Sequence, residues 1–414
     1  MESSWKQTLA QLEEYVMSNP SIIITRGKIV MPGEVRDGFY ELFDRVENEF
    51  TTEHFASEIA GGAALSAAWY ELSQRLTERM ELESIVIAPS LRWLLENPLT
   101  GLSRYLFDDL FAVLKGTMDA DAFEAAGKAR IAPIYAELFK EGYRKWATLA
   151  LLEQLDADRN FFVPAADNTT DNAMGEGHEN PGQKTATLPE AEPCSMISFQ
   201  QPQIVSFVVP KILVHSTKLG RYASLHSEFV EPFWTAQPVS ERVEWFDYDA
   251  LKTAHRLDKV RPDIKNPTNL PYILPDIAVH TMEYIEDLVM VTDHSRIARP
   301  DLNVEIMDEA DWYEKGKMAD VLRRHRVMQP RYGSYVICRE EPPQAAFDEL
   351  APKPVETNPQ ETPTDETSAP PQPAPAEPPL NIHLVATGYD VTRLAAVIEA
   401  LPVTKVDEDT APEQ

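Results

Sequence analysis

The amino-acid sequence predicts an α+β multidomain protein: an N-terminal helical bundle, a central mixed α+β domain, a Pro-rich linker and a small C-terminal β-α-β segment. Three observations predict it. Apolar residues recur at helical spacing through the first 157 residues, as in Val35, Phe39, Leu42, Phe43, Val46 and Phe50. β-branched and aromatic runs of strand length come later, IVSFVVPKILVH at 204–215 and GSYVIC at 333–338. Twelve prolines then fall between 342 and 380, a composition that favours extended polyproline II and buries no core.

The helical domain, 1–157, is built from stripes such as Trp5, Leu9, Leu12 and Val16, then 63–80, 90–96, 102–115 and 133–156. Pro32, Pro89, Pro98 and Pro133 punctuate these segments near helix starts or ends. Within it, SIIITRGKIVM at 21–31 places two short β-rich runs around Arg26-Gly27 and reads as a small hairpin. Residues 158–200, polar and rich in Gly, Pro and Asn, read as an acidic flexible linker.

The central domain, 201–342, mixes strand-like runs with helical patterns at 247–257 and 310–327 without clean alternation. Pro210 inside the first run implies a break, a bulge or an edge strand. A Pro-rich disordered linker follows at 343–380. The segment 381–406 then reads as a miniature β-α-β unit: a strand at 382–386, Asp390 as an N-cap, and a second strand at 403–406. Its helix carries one apolar stripe, Val391, Leu394, Ile398 and Leu401. So small a segment cannot bury enough apolar surface alone, so this stripe is a docking face. Residues 407–414 read as an acidic disordered tail.

Composition bounds the function. With 43% hydrophobic and 25% charged residues among 414, the chain is globular. The net charge of −29 repels a phosphate backbone, so nucleic acid is not expected as a partner of the whole chain. No window offers the roughly 18 apolar residues of a membrane helix, and MESSWKQTLAQLEEY lacks a secretory pattern, so no membrane partner and a cytoplasmic location are expected. Two cysteines, Cys194 and Cys338, cannot make a disulfide framework or a multi-cysteine zinc site. Cys338, inside YVIC, reads as a buried small hydrophobe.

Three constellations are candidates for chemistry. Five of the nine histidines, His215, His226, His255, His280 and His294, fall within 80 residues of the central domain. Read as a helix, 276–292 brings His280, Glu283 and Asp287 onto one stripe. With His294, these suit a divalent metal or a general base, although a solvated polar face is the simpler reading. Pro262-Asp263, Pro275-Asp276 and Pro300-Asp301 resemble the opening of metal-dependent nuclease sites of the PD-(D/E)xK type. The downstream acid–x–Lys is missing, so turn or helix-start chemistry fits them better. Arg323, Arg324, Arg326 and Arg331 offer an anion or acidic-partner site, or a complement to a helix dipole.

No phosphate-binding loop, GxSxG or kinase signature occurs, and the sequence names no cofactor. The expectation is therefore a non-catalytic interaction or scaffold protein. It would engage a protein partner, or a second copy of itself, through the tethered C-terminal segment. The alternative is a metal-dependent hydrolase or nuclease centred on 201–342.

Overall fold

The computed structural model describes residues 3–25, 28–163, 190–199, 210–227, 275–289, 299–351 and 380–404. The chain forms two compact units: residues 1–160 with 194–202, and residues 161–193 with 203–414. The architecture is the expected α+β one, helical at the N-terminus with a large mixed sheet beyond it.

The first unit is helical: Ser4–Ser18 (α1), Gly33–His54 (α2), Ala56–Arg79 (α3), Pro89–Glu96 (α4), Pro98–Ser103 (α5), Phe107–Leu114 (α6) and Ala120–Gln154 (α7). Aromatic contacts tie α1, α2 and α7 together. Trp5 of α1, Phe50 of α2 and Phe123 of α7 form a buried trio with ring centroids 5.1–5.4 Å apart. Ile23–Ile24 (β1) pairs antiparallel with Ile29–Val30 (β2), the small hairpin foreseen at 21–31. Ser84–Val86 (β3) pairs in parallel with Met196–Ser198 (β6). Pro133 does not start a helix: it lies inside α7, whose true N-cap is Asp119, accepting from the Ala122 N–H at 2.7 Å. The helix formers of 120–132 carry the pattern through the one amide that proline removes.

Most of an eight-stranded sheet lies in the second unit. Its strands are Ala157–Phe162 (β4), Glu192–Pro193 (β5), Ile212–Ser216 (β7), Arg221–Ser227 (β8), Ile277–Met282 (β9), Leu302–Met307 (β10), Ser334–Cys338 (β11) and Ile382–Ala386 (β12). They lie in the order β12-β11-β10-β9-β8-β7-β4-β5. From β7 to β10 the pairing is antiparallel; β10–β11 and β11–β12 are parallel. The change is set by connection length. The β7–β8 turn spans 217–220, with Gly220 at φ 63°, whereas the β10–β11 crossover carries a helix, Lys317–Met328 (α9). Shorter helices are Ile285–Val289 (α8), Gln344–Leu350 (α10) and Ala395–Glu399 (α11). Met307, Val336, Cys338 and Ile382 of the sheet pack with Trp312 and with Met318 and Val321 of α9.

Several expectations change here. The segment 276–292 is not one helix: its first part is β9, and among its described residues only 285–289 are helical. IAVHTM lies between two strands and pairs with both, and that tertiary pairing overrides the helical spacing. The expected linker at 158–200 is structured at both ends, as β4 and as β5 and β6. The Pro-rich segment opens with α10, bounded by Pro343 and Pro352 and anchored by buried Ala346. Val403 and Thr404 are not a strand. The helix expected at 247–257 lies outside the described residues.

One glycine tests the helical packing. A Cβ at Gly101 would sit 2.7 Å from the Trp93 carbonyl oxygen and 2.9 Å from Leu94 Cα, both backbone atoms. Gly101→Ala is expected to destabilise this unit by about 1–3 kcal/mol, read as a lower thermal midpoint. Gly33→Ala at the start of α2, where nothing lies within 4 Å, is expected to hold or raise that midpoint.

Candidate functional site

The C-terminal segment is where an exposed-edge problem meets an apolar helix that cannot stand alone. β11 would present a row of unpaired N–H and C=O groups at the sheet edge. β12 covers it in parallel register, Ser334 opposite Ile382 through Cys338 opposite Ala386. The junctions are closed by the Ser334 N–H donating to the Asn381 carbonyl at 2.9 Å and the Thr387 N–H donating to the Cys338 carbonyl at 2.8 Å. Gly333, at φ 110°, makes this approach possible. A Cβ there would lie 2.7 Å from the Asn381 carbonyl oxygen.

Asp390 then turns the chain. Its Oδ1 accepts from Thr392 N–H at 3.0 Å and Thr392 Oγ1 at 2.6 Å, and these bonds hold its carboxyl below the ordinary range. A 3₁₀ turn, Val391–Leu394, and α11 follow, and Val391, Leu394, Ile398 and Leu401 are all buried, with Val397 beside them. The far end is tied to the β7–β8 turn. Thr404 N–H donates to the Leu219 carbonyl at 2.9 Å, and Arg221 donates to Thr404 Oγ1 from Nε at 3.1 Å and Nη2 at 2.9 Å. The segment thus runs from the β12 edge back to the β7–β8 turn, four strands away, or roughly 20 Å at the usual strand spacing.

Polar side chains occupy the middle of the same sheet. Ser224 of β8 lies opposite His280 of β9, and its Oγ meets His226 Nε2 at 3.1 Å. The His226 and His280 rings sit 5.0 Å apart, edge to face. On β10, Glu305 accepts from Arg324 Nε of α9 at 2.7 Å, and His325 Nδ1 meets Ser334 Oγ at 2.8 Å. Burial, then the neighbouring His280, holds the His226 imidazole well below its ordinary range. Burial, then Arg326 and His383, lowers His325 to about 4. These rings stay neutral hydrogen-bonding groups at physiological pH. Burial alone would lower the Arg324 guanidinium, but the charge and hydrogen bond of Glu305 outweigh it.

The expected metal set does not converge on a helical stripe. His280 is buried inside β9, Glu283 and Asp287 are exposed, and His294 and His255 lie outside the described residues. Among the described residues no group of three His, Cys, Asp or Glu is placed to hold a metal ion. The four arginines do not share a surface patch either. Arg323 pairs with Asp320, Arg324 turns inward to Glu305, Arg331 reaches Asp301 at 3.4 Å, and Arg326 is exposed. Cys338 is the buried hydrophobe expected, its thiol pushed up by burial to about 12.

Two of the Pro-Asp pairs precede strands rather than the expected turns or helix starts, and they form a reciprocal clamp. Asp276, before β9, accepts from the Ile306 N–H near the end of β10 at 2.7 Å. Asp301, before β10, accepts from Thr281 N–H at 2.6 Å and Thr281 Oγ1 at 2.8 Å near the end of β9. Each carboxylate extends the pairing of the partner strand where the ladder stops. The signal was the repetition of Pro-Asp before two strand-length runs. Pro262-Asp263 lies outside the described residues.

No helix among the described residues is long and apolar enough to cross a membrane. No protein-family model, curated protein or solved structure matches the chain.

The buried histidines make the sheet acid-sensitive. The unfolded chain takes up a proton near 6.5, whereas folded His325 resists until about 4. The unfolded state therefore binds more protons as pH falls. Stability present above pH 6.5 is lost towards pH 4, up to roughly 3 kcal/mol at about 1.4 kcal/mol per unit. His325→Gln, which keeps a partner for Ser334, is expected to flatten this loss in urea unfolding at pH 7 and 4.5. An unchanged pH slope would contradict it.

Proposed function

We propose that the protein is a non-catalytic interaction protein whose C-terminal segment, 380–404, is a tethered strand-and-helix unit completing the sheet of its own chain. The observation that supports this reading is the parallel β11–β12 pairing together with burial of Val391, Leu394, Ile398 and Leu401. The docked unit rejoins the sheet only after the Pro-rich stretch between α10 and residue 380. A tether of that length keeps the segment at roughly millimolar effective concentration near its groove. Docking within the chain then wins over docking between chains unless a partner supplies a better strand. The same surface, once vacated, accepts an extended strand by edge addition and an apolar helix beside it.

The test uses the full-length chain and a labelled peptide of residues 380–404. Against the wild type, the peptide is expected to bind at least about 100-fold more weakly than against a Leu394→Asp/Ile398→Asp chain, because the tethered copy occupies the site. Two buried aspartates dislodge that copy while leaving β11 intact. Equal binding to both chains, or none to either, would refute the reading.

A further inference from the structure

The helical unit holds a cavity of about 420 Å³ between α2, α4 and the turn after α5. Its buried acidic group is Glu47. Glu47 lies next to Val46 and three residues before Phe50 in the buried stripe of α2, so the helix carries its carboxyl inward. Only 6% of the residue is exposed, and Oε1 accepts no hydrogen bond. Asn48 Oδ1, on the same wall, is buried and equally without a donor. Asp44, one turn earlier on α2, and Glu96 of α4 add two more carboxylates to the lining. Arg104 is the single cation there, and its guanidinium lies 3.1 Å from the centroid of the Trp93 ring.

We propose that this cavity binds a small organic ligand carrying a primary ammonium group, held by Glu47, Asn48 and Asp44. The acceptors dictate the chemistry. A buried carboxylate oxygen and a buried amide oxygen without donors are costly, and an –NH₃⁺ group supplies three donors to satisfy them. A quaternary ammonium has none to give, and the Trp93 face that would otherwise receive it is covered by Arg104. An anion would meet two carboxylates and a buried carboxylic acid against one guanidinium. The volume lies within the range of small-molecule sites.

Proton balance gives the proposal a signature. In the empty site burial, then the charge of Asp44, pushes the Glu47 carboxyl up to about 8, so at pH 7 it is protonated. Asp44 is itself raised by burial. Binding of R–NH₃⁺ places a positive charge beside Glu47, which releases its proton to solvent and accepts hydrogen bonds from the ammonium as a carboxylate. The other charged groups facing Glu47 are Asp44, Glu96 and Arg104. Affinity is therefore expected to rise with pH, by at most tenfold per unit, and to level off above about 8.

Isothermal titration of the full-length chain with 1,4-diaminobutane, in two pH 7 buffers of different ionisation enthalpy, tests this. Saturable binding with release of close to one proton is expected. Glu47→Gln is expected to bind at least tenfold more weakly with no proton release, while its thermal midpoint holds or rises because a costly buried acid is gone. Tetramethylammonium, a cation with no donors, is expected not to bind, whereas butylammonium, with the same single charge and three donors, is expected to bind. The proposal is overturned by the absence of saturable binding up to about 10 mM, by Glu47→Gln binding as well as wild type, or by tetramethylammonium binding as tightly as butylammonium.

Discussion

The backbone pairing of β11 with β12 is the constraint on which the second unit depends. A parallel neighbour cannot be made by a tight turn, so the strand that covers the β11 edge must come from far along the chain. Here it arrives after the Pro-rich stretch, passes Gly333 at a distance no side chain would allow, and locks at Thr404 onto the β7–β8 turn. The C-terminal segment is thus part of the sheet's own construction. Its apolar stripe, which could not stay dry in a free fragment, is spent inside the same chain. Any partner that recognises this surface must first compete with a tethered copy.

The interior of the sheet explains why its register is fixed. At β9 and β10 the sheet changes from antiparallel to parallel, and the Asp276 and Asp301 carboxylates hold the two strands at both ends. A one-residue slip would turn Glu305 and Asn303 to the other face and strand Arg324 without its partner. Removing one member of a buried ion pair costs several kcal/mol, far more than the pair itself contributes. His226 and His325 add the same kind of specificity as neutral hydrogen-bonding groups.

Much of this was legible in the sequence, for identifiable reasons. The helices of the first unit follow their apolar spacing because packing and propensity agree there, as along Trp5, Leu9 and Leu12. Asp390 and the stripe from Val391 to Leu401 were readable because a cap and a helical period coincide. β9 was not, since IAVHTM pairs with strands distant in sequence and local spacing says nothing of them. Arg324 reads as a surface base, yet it and His325 occupy the inward positions between Val321 and Met328, and that spacing is the available signal. Glu47 is not legible in the sequence, because one acid among many on α2 gives no sign of the cavity behind it.

Amide hydrogen exchange in the full-length chain measures the β11–β12 pairing most directly. Residues 382–386 are expected to be protected to the same degree as 334–338, both groups opening together. Exchange of 382–386 within seconds, while 334–338 remain protected, would contradict the pairing on which the proposed role rests.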